Sequence, residues 1–206
     1  MNSRKVKREE LGQFGLALLA QIEPRDNSIN RWKVWLMNYQ FNDECADDDY
    51  GWLTCALALK SVNFGNFGVG SVLVDHSVSV VAWGHNEVFN PYFRSDRHAE
   101  MVVVDKFEDA YQNVTKLEGY TLYTSLESCP MCLARLITSR INKIVHVAED
   151  TTGGMVHKLE NLPAIWMELA DSQIFSKANC SLELVKASIQ IFLINAEELN
   201  EMLKNR

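Results

Sequence analysis

The sequence predicts an α/β protein, a three-layer αβα sandwich on a mixed five-stranded sheet that opens with a hairpin and continues in parallel strands. Two β-branched runs, Val69-Gly70-Ser71-Val72-Leu73-Val74 and Val78-Ser79-Val80-Val81-Ala82-Trp83, are separated only by Asp75-His76-Ser77, the spacing of a hairpin. After them helical and strand-like stretches alternate, which favours parallel strands joined by crossover helices. The 206 residues are 47% hydrophobic and 23% charged, ordinary usage for a chain able to bury a full core.

Residues from about 8 to 40 carry helical spacing that includes Trp32, Trp35 and Leu36, and read as an added helical segment. Arg4, Lys5, Lys7 and Arg8 before Leu16-Ala17-Leu18-Leu19-Ala20 imitate a secretory signal, but Glu9, Glu10 and Gln13 interrupt the pattern. An amphipathic helix with a solvated basic start is the better reading. No apolar stretch approaches the roughly 20 residues of a membrane span, so no membrane association is expected.

Asp47-Asp48-Asp49 places negative charge at the positive end of a helix whose apolar positions include Trp52, Leu53, Ala56 and Leu59, and which should pack on the sheet. Beyond the hairpin, residues 98–108 read as a helix, 120–124 as a strand, 130–139 as a helix and 143–147 as a strand. Pro130 suits a first helical turn, where its missing N–H loses no partner. Residues 182–203 close the chain in helical spacing. These patterns divide the chain into a helical extension (1–45), a core (46–165) and C-terminal helices that pack on the core or on a partner subunit (166–206). No repeat interrupts the chain, and its four prolines leave little room for a linker.

The chemistry lies in His98-Ala99-Glu100 and Cys129-Pro130-Met131-Cys132. One His and two Cys fill three positions around one Zn2+ per chain and leave the fourth open, as catalytic rather than structural sites do. A closed site would need a fourth ligand, and no other Cys or His has ligand spacing; it would also leave Glu100 unexplained. If Cys129 and Cys132 open one helix and His98 opens the preceding one, the free N–H groups favour thiolates, and both helix starts meet at the carboxyl ends of the strands. Zinc with two thiolates and a neutral imidazole is formally neutral and acidifies water less than a cation held by histidines alone. Glu100 is then the base that takes the water proton and returns it to the substrate.

Cys45, Cys55 and Cys180 read as buried thiols, and His76, His85, His146 and His157 as turn, strand-edge or surface residues. An odd count of five cysteines with a CxxC pair near a His indicates metal binding in a reducing compartment, hence the cytoplasm. The formal net charge of −7 argues against a partner gripped through phosphates and favours small, weakly charged substrates.

Together with Val69-Gly70-Ser71-Val72-Leu73-Val74, Gly84-His85-Asn86 and Leu126-Glu127-Ser128-Cys129-Pro130-Met131-Cys132-Leu133, these motifs resemble the cytidine-deaminase superfamily, in its branch of guanine deaminases and tRNA adenosine deaminases. The resemblance covers about residues 46–150. It implies a cytidine-deaminase-like fold, zinc on His98, Cys129 and Cys132, Glu100 as proton shuttle, substrate contact through the Ala99 backbone amide and the Asn86 carboxamide, and a homodimer. It also implies a second acid after the fourth strand; Glu149, Asp150 and Glu160 are candidates, and Glu160 is favoured because it follows Gly153-Gly154. The family commonly has Pro where this chain has Ser128. The 89–97 segment, with Phe93, is a candidate pocket wall, and Trp166 a candidate for closing a pocket or an interface.

The expected activity is hydrolytic deamination of a purine base or nucleoside, guanine first, with release of ammonia. Adenosine-to-inosine editing in tRNA, deamination of cytosine or cytidine, and an inactive partner subunit are the alternatives. The acidic charge, with Glu197, Glu198 and Glu201, weighs against nucleic acid.

Overall fold

A computed structural model describes residues 5–206, so Arg4 of the basic start lies outside the described residues. The elements run α1 (Leu11–Ala20), α2 (Asn27–Asn38), α3 (Asp48–Asn63), β1 (Gly70–Val74), β2 (Val80–His85), α4 (Ala99–Ala110), β3 (Thr121–Leu126), α5 (Pro130–Ser139), β4 (Lys143–Ala148), α6 (Ala164–Ala170), β5 (Ile174–Lys177), α7 (Leu182–Leu193) and α8 (Ala196–Lys204). The sheet order is β2-β1-β3-β4-β5, with β1 antiparallel to both neighbours and β3, β4 and β5 parallel. Because β1 reverses against β2 and again against β3, strands β2, β3 and β4 all point the same way. The helices that follow β2 and β3 therefore start at one end of the sheet.

Alternation along the strands sorts the core onto two faces. Val72, Val74, Tyr123 and Val145 meet α3 and α7, whereas Leu73, Leu122 and Ile144 pack with Val103, Val104 and Phe107 of α4 and Leu136 of α5. Helix α3 is buried on nearly every side, beyond what packing on a sheet alone produces. Its outer surface is covered by α1 and α2, whose Leu11, Leu19, Ile29 and Leu36 are fully buried in the same cluster. The approach is close: a Cβ on Gly15 of α1 would come within 2.2 Å of the Trp52 ring of α3.

The acidic run does more than start α3. No side chain among the described residues caps the helix; buried Asp48 instead accepts hydrogen bonds from the Tyr39 hydroxyl and the Asn42 and Ser181 amides, joining α2, α3 and α7. The hairpin turn is built on Asp75, whose carboxylate accepts the Ser77 and Ser79 amides and pairs with Lys5 at 2.7 Å. The helical pattern of 182–203 is two helices, broken between Leu193 and Ala196. No helix among the described residues is long and apolar enough to cross a membrane.

Candidate functional site

His98 is the N-cap of α4 and Cys129 the N-cap of α5, each extended, so both side chains leave the backbone just before a helix begins. Pro130 occupies the first turn of α5 and Cys132 follows one turn on. The parallel course of β2 and β3 brings the two helix starts together. His98 Nδ1 lies 3.5 Å from Cys129 Sγ, and the ligand atoms of His98, Cys129 and Cys132 all lie within 4.8 Å of one another. A sulfur and a nitrogen bound tetrahedrally at ~2.3 and ~2.0 Å are about 3.5 Å apart, so these residues fit one zinc ion.

Hydrogen bonding from Cys132 is the main influence that lowers the Cys129 thiol to about 4, against burial and with help from His98. The same bond, with burial, raises Cys132. Burial works against a charged His98, but the Cys129 partner outweighs it and raises the imidazole.

Glu100 is buried in the first turn of α4, with Oε1 accepting the Ser128 hydroxyl at 2.9 Å and Oε2 3.5 Å from Cys132 Sγ. Burial, reinforced by the Cys129 charge, raises its carboxyl above the ordinary value of 4.5. Ala99, fully buried, is the first residue of α4, where helix N–H groups lack intrahelical partners. Asn86 lies just past β2, buried, with Oδ1 accepting the Val88 amide.

A cavity of about 190 Å³ opens over this group. Asn86, His98, Glu100 and Cys129 line it together with two further acids, Glu127 and Asp150, and an apolar wall includes Phe67, Phe192 of α7 and Leu203 of α8. Glu160, favoured by its place after Gly153-Gly154, does not reach the cavity. It is exposed, and its side-chain partner is the neighbouring Asn161. The glycines do turn the chain back, but the turn delivers Asp150: its carboxylate accepts the Thr152 and Gly153 amides, and its carbonyl accepts the Gly154 amide.

Phe93 packs on Phe89 and under the Arg206 guanidinium rather than into the cavity, and Trp166 packs beside Leu133 and Ile137 of α5. His146, expected at an edge or surface, is buried in β4, whereas exposed His157 bonds Glu127. Glu127 is a cavity residue that the sequence reading does not single out, although it directly precedes Ser128 and Cys129. The α7 and α8 wall had no signal beyond apolar helical spacing.

Residues 46–148 match the cytidine and deoxycytidylate deaminase zinc-binding region. The chain belongs to the cytidine and deoxycytidylate deaminase family. This family's zinc-binding region contains all three ligand residues found together in the fold. The chain is 40% identical over 105 residues to a tRNA-specific adenosine deaminase of Bacillus subtilis, across 51% of this chain and 63% of that relative. It is 33% identical over 98 residues to a guanine deaminase of the same organism, across 46% of this chain and 60% of that relative. Both matches thus span less than two thirds of the relative. A solved guanine deaminase from Nitrosomonas europaea shares the fold with a TM-score of 0.56 at 20% identity, over 79% of this chain and 91% of that one.

Proposed function

We propose that this protein is a zinc-dependent hydrolytic deaminase of an aminopurine, with adenosine in tRNA as the leading substrate. The observation that supports the reaction class is the placement of Glu100, a buried carboxylate beside three ligand atoms at the wall of an open cavity. When bound, zinc supplies the Lewis acidity that activates water. Glu100 receives the water proton and passes it to the ring nitrogen beside the carbon that carries the amino group. With the water oxygen joined to that carbon, Glu100 takes the remaining hydroxyl proton and gives it to the amino group, so that the C–N bond breaks, ammonia leaves and a carbonyl stays on the ring. The Asn86 carboxamide offers both a donor and an acceptor to the base edge, and Ala99 a backbone N–H.

The choice of adenosine in tRNA rests on the relatives: the tRNA-specific deaminase is the more similar, at 40% against 33% for the guanine deaminase. Guanine-first and the expectation against nucleic acid therefore give way. A free purine such as guanine is the second reading, favoured by a cavity on the scale of one base that Phe192, Asn200 and Leu203 help to line. The homodimer and the cytoplasmic setting remain parts of the proposal, consistent with thiolate ligands that require reducing conditions.

The test is ammonia release by the zinc-loaded protein on guanine, adenine, cytosine and their nucleosides, beside inosine formation in a tRNA anticodon stem-loop. Inosine without turnover of the free compounds supports the leading reading; guanine turnover alone supports the second. Zinc binding with no turnover on any of them would instead mean an inactive partner subunit.

A further inference from the structure

Ser128 and Glu100 are both buried, and the Ser128 hydroxyl donates to Glu100 Oε1 at 2.9 Å. Proline, common at this position in the family, could not make that bond. The serine is itself anchored: its carbonyl accepts the Met155 amide at 3.0 Å, and it directly precedes Cys129, the N-cap of α5.

A glutamate carboxyl group turns freely about its last torsion, whose preference is broad and two-fold. A proton shuttle must present one defined oxygen to water and substrate. Here the oxygens differ: Oε1 is held by a hydroxyl, and Oε2 faces the ligand group, 3.5 Å from Cys132 Sγ. A hydroxyl that donates to Oε1 keeps its bond whether or not Oε2 carries a proton. We infer that Ser128 is a positioning residue for Glu100, fixing the carboxylate so that Oε2 is the oxygen that takes and releases the proton. The inference rests on the deaminase reading, in which Glu100 is the shuttle.

The experiment compares Ser128→Ala, Ser128→Thr and Glu100→Ala with the parent in zinc content, steady-state kinetics and high-resolution crystal structures. In Ser128→Ala zinc stays stoichiometric, kcat falls about tenfold with KM nearly unchanged, and the Glu100 carboxylate takes a second orientation. Ser128→Thr, which keeps the hydroxyl, recovers most of kcat and the single orientation. Full kcat in Ser128→Ala with one Glu100 orientation overturns the inference, as does zinc loss that Thr leaves unrepaired, since the serine would then serve ligand packing. If the parent shows no turnover that Glu100→Ala removes, the deaminase reading fails by itself. The Glu100 orientation in the Ala and Thr crystals then decides whether Ser128 positions it: a second orientation in Ala alone supports the role, and one orientation in both overturns it.

Discussion

Glu127 Oε1 accepts two hydrogen bonds from His157, one from its backbone N–H and one from ring Nδ1, both at 2.8 Å. The other oxygen accepts the Asp150 amide at 3.1 Å. One buried carboxylate at the end of β3 thus holds both ends of the turn that carries Asp150 into the cavity. Gly154 completes the fit, because a Cβ there would come within 2.7 Å of Glu127 Oε2.

Breaking this clasp is expected to loosen the turn without removing metal. Burial pushes the Glu127 carboxyl up, but the His157 and Asp150 bonds outweigh it and hold it below its ordinary 4.5. A depressed carboxyl stabilises the fold above the unfolded value, and that contribution disappears as pH falls below 4.5 through the lower folded value. Glu127→Ala, which leaves the part-buried Asp150 and His157 N–H groups without their acceptor, is expected to cost about 1–2 kcal/mol at neutral pH and to flatten the acid limb of stability. Urea denaturation at several pH values measures both.

The covering helix α1 gives a packing test. Gly15→Ala would drive a methyl into the Trp52 ring, and overpacking of this kind costs about 1–3 kcal/mol. Thermal unfolding is the measurement, and zinc content should be unchanged because Gly15 lies on the face of the sheet opposite α4 and α5.

His146 predicts a second acid sensitivity. Burial, the largest influence, lowers its imidazole below 6.5 against the opposing charges of Glu127 and Glu149, and neither ring nitrogen has a hydrogen-bond partner among the described residues. Above 6.5 it is neutral in both states; below, the unfolded chain takes up a proton that the folded chain resists, so stability falls. His146→Leu is expected to lie within about 1 kcal/mol of the parent at neutral pH, since no hydrogen bond is lost. It should also lose less stability than the parent between pH 6.5 and about 5, measured by urea midpoints.

The α8 wall separates the two substrate readings. Leu203→Ala removes apolar lining and is expected to raise KM for a free purine about fivefold, with kcat little changed. If the substrate is tRNA, the same change opens the approach and leaves or increases inosine formation. Kinetics on both substrates report which occurs.

The candidate ligand group is legible because its chemistry is local: His98 and Glu100 stand two positions apart at one helix start, and Cys129 and Cys132 three apart at another. The hairpin was legible from β-branched runs around a turn. The short edge strand β5 left no such trace, since its four residues are at most half-buried and lack a sustained alternation. The break between α7 and α8 is likewise hidden, as apolar spacing continues through it. Asp150 rather than Glu160 lines the cavity, which spacing alone cannot show, because it does not reveal which acid a glycine turn aims inward. Glu127 and His157 are 30 residues apart, and only the packed loop brings them together.

The most direct test of the account is ammonia release and zinc content measured side by side for the parent and Glu100→Ala. The expected result is one zinc per chain in both proteins, with turnover lowered at least ~100-fold in the variant. Undiminished ammonia release by zinc-loaded Glu100→Ala would contradict it.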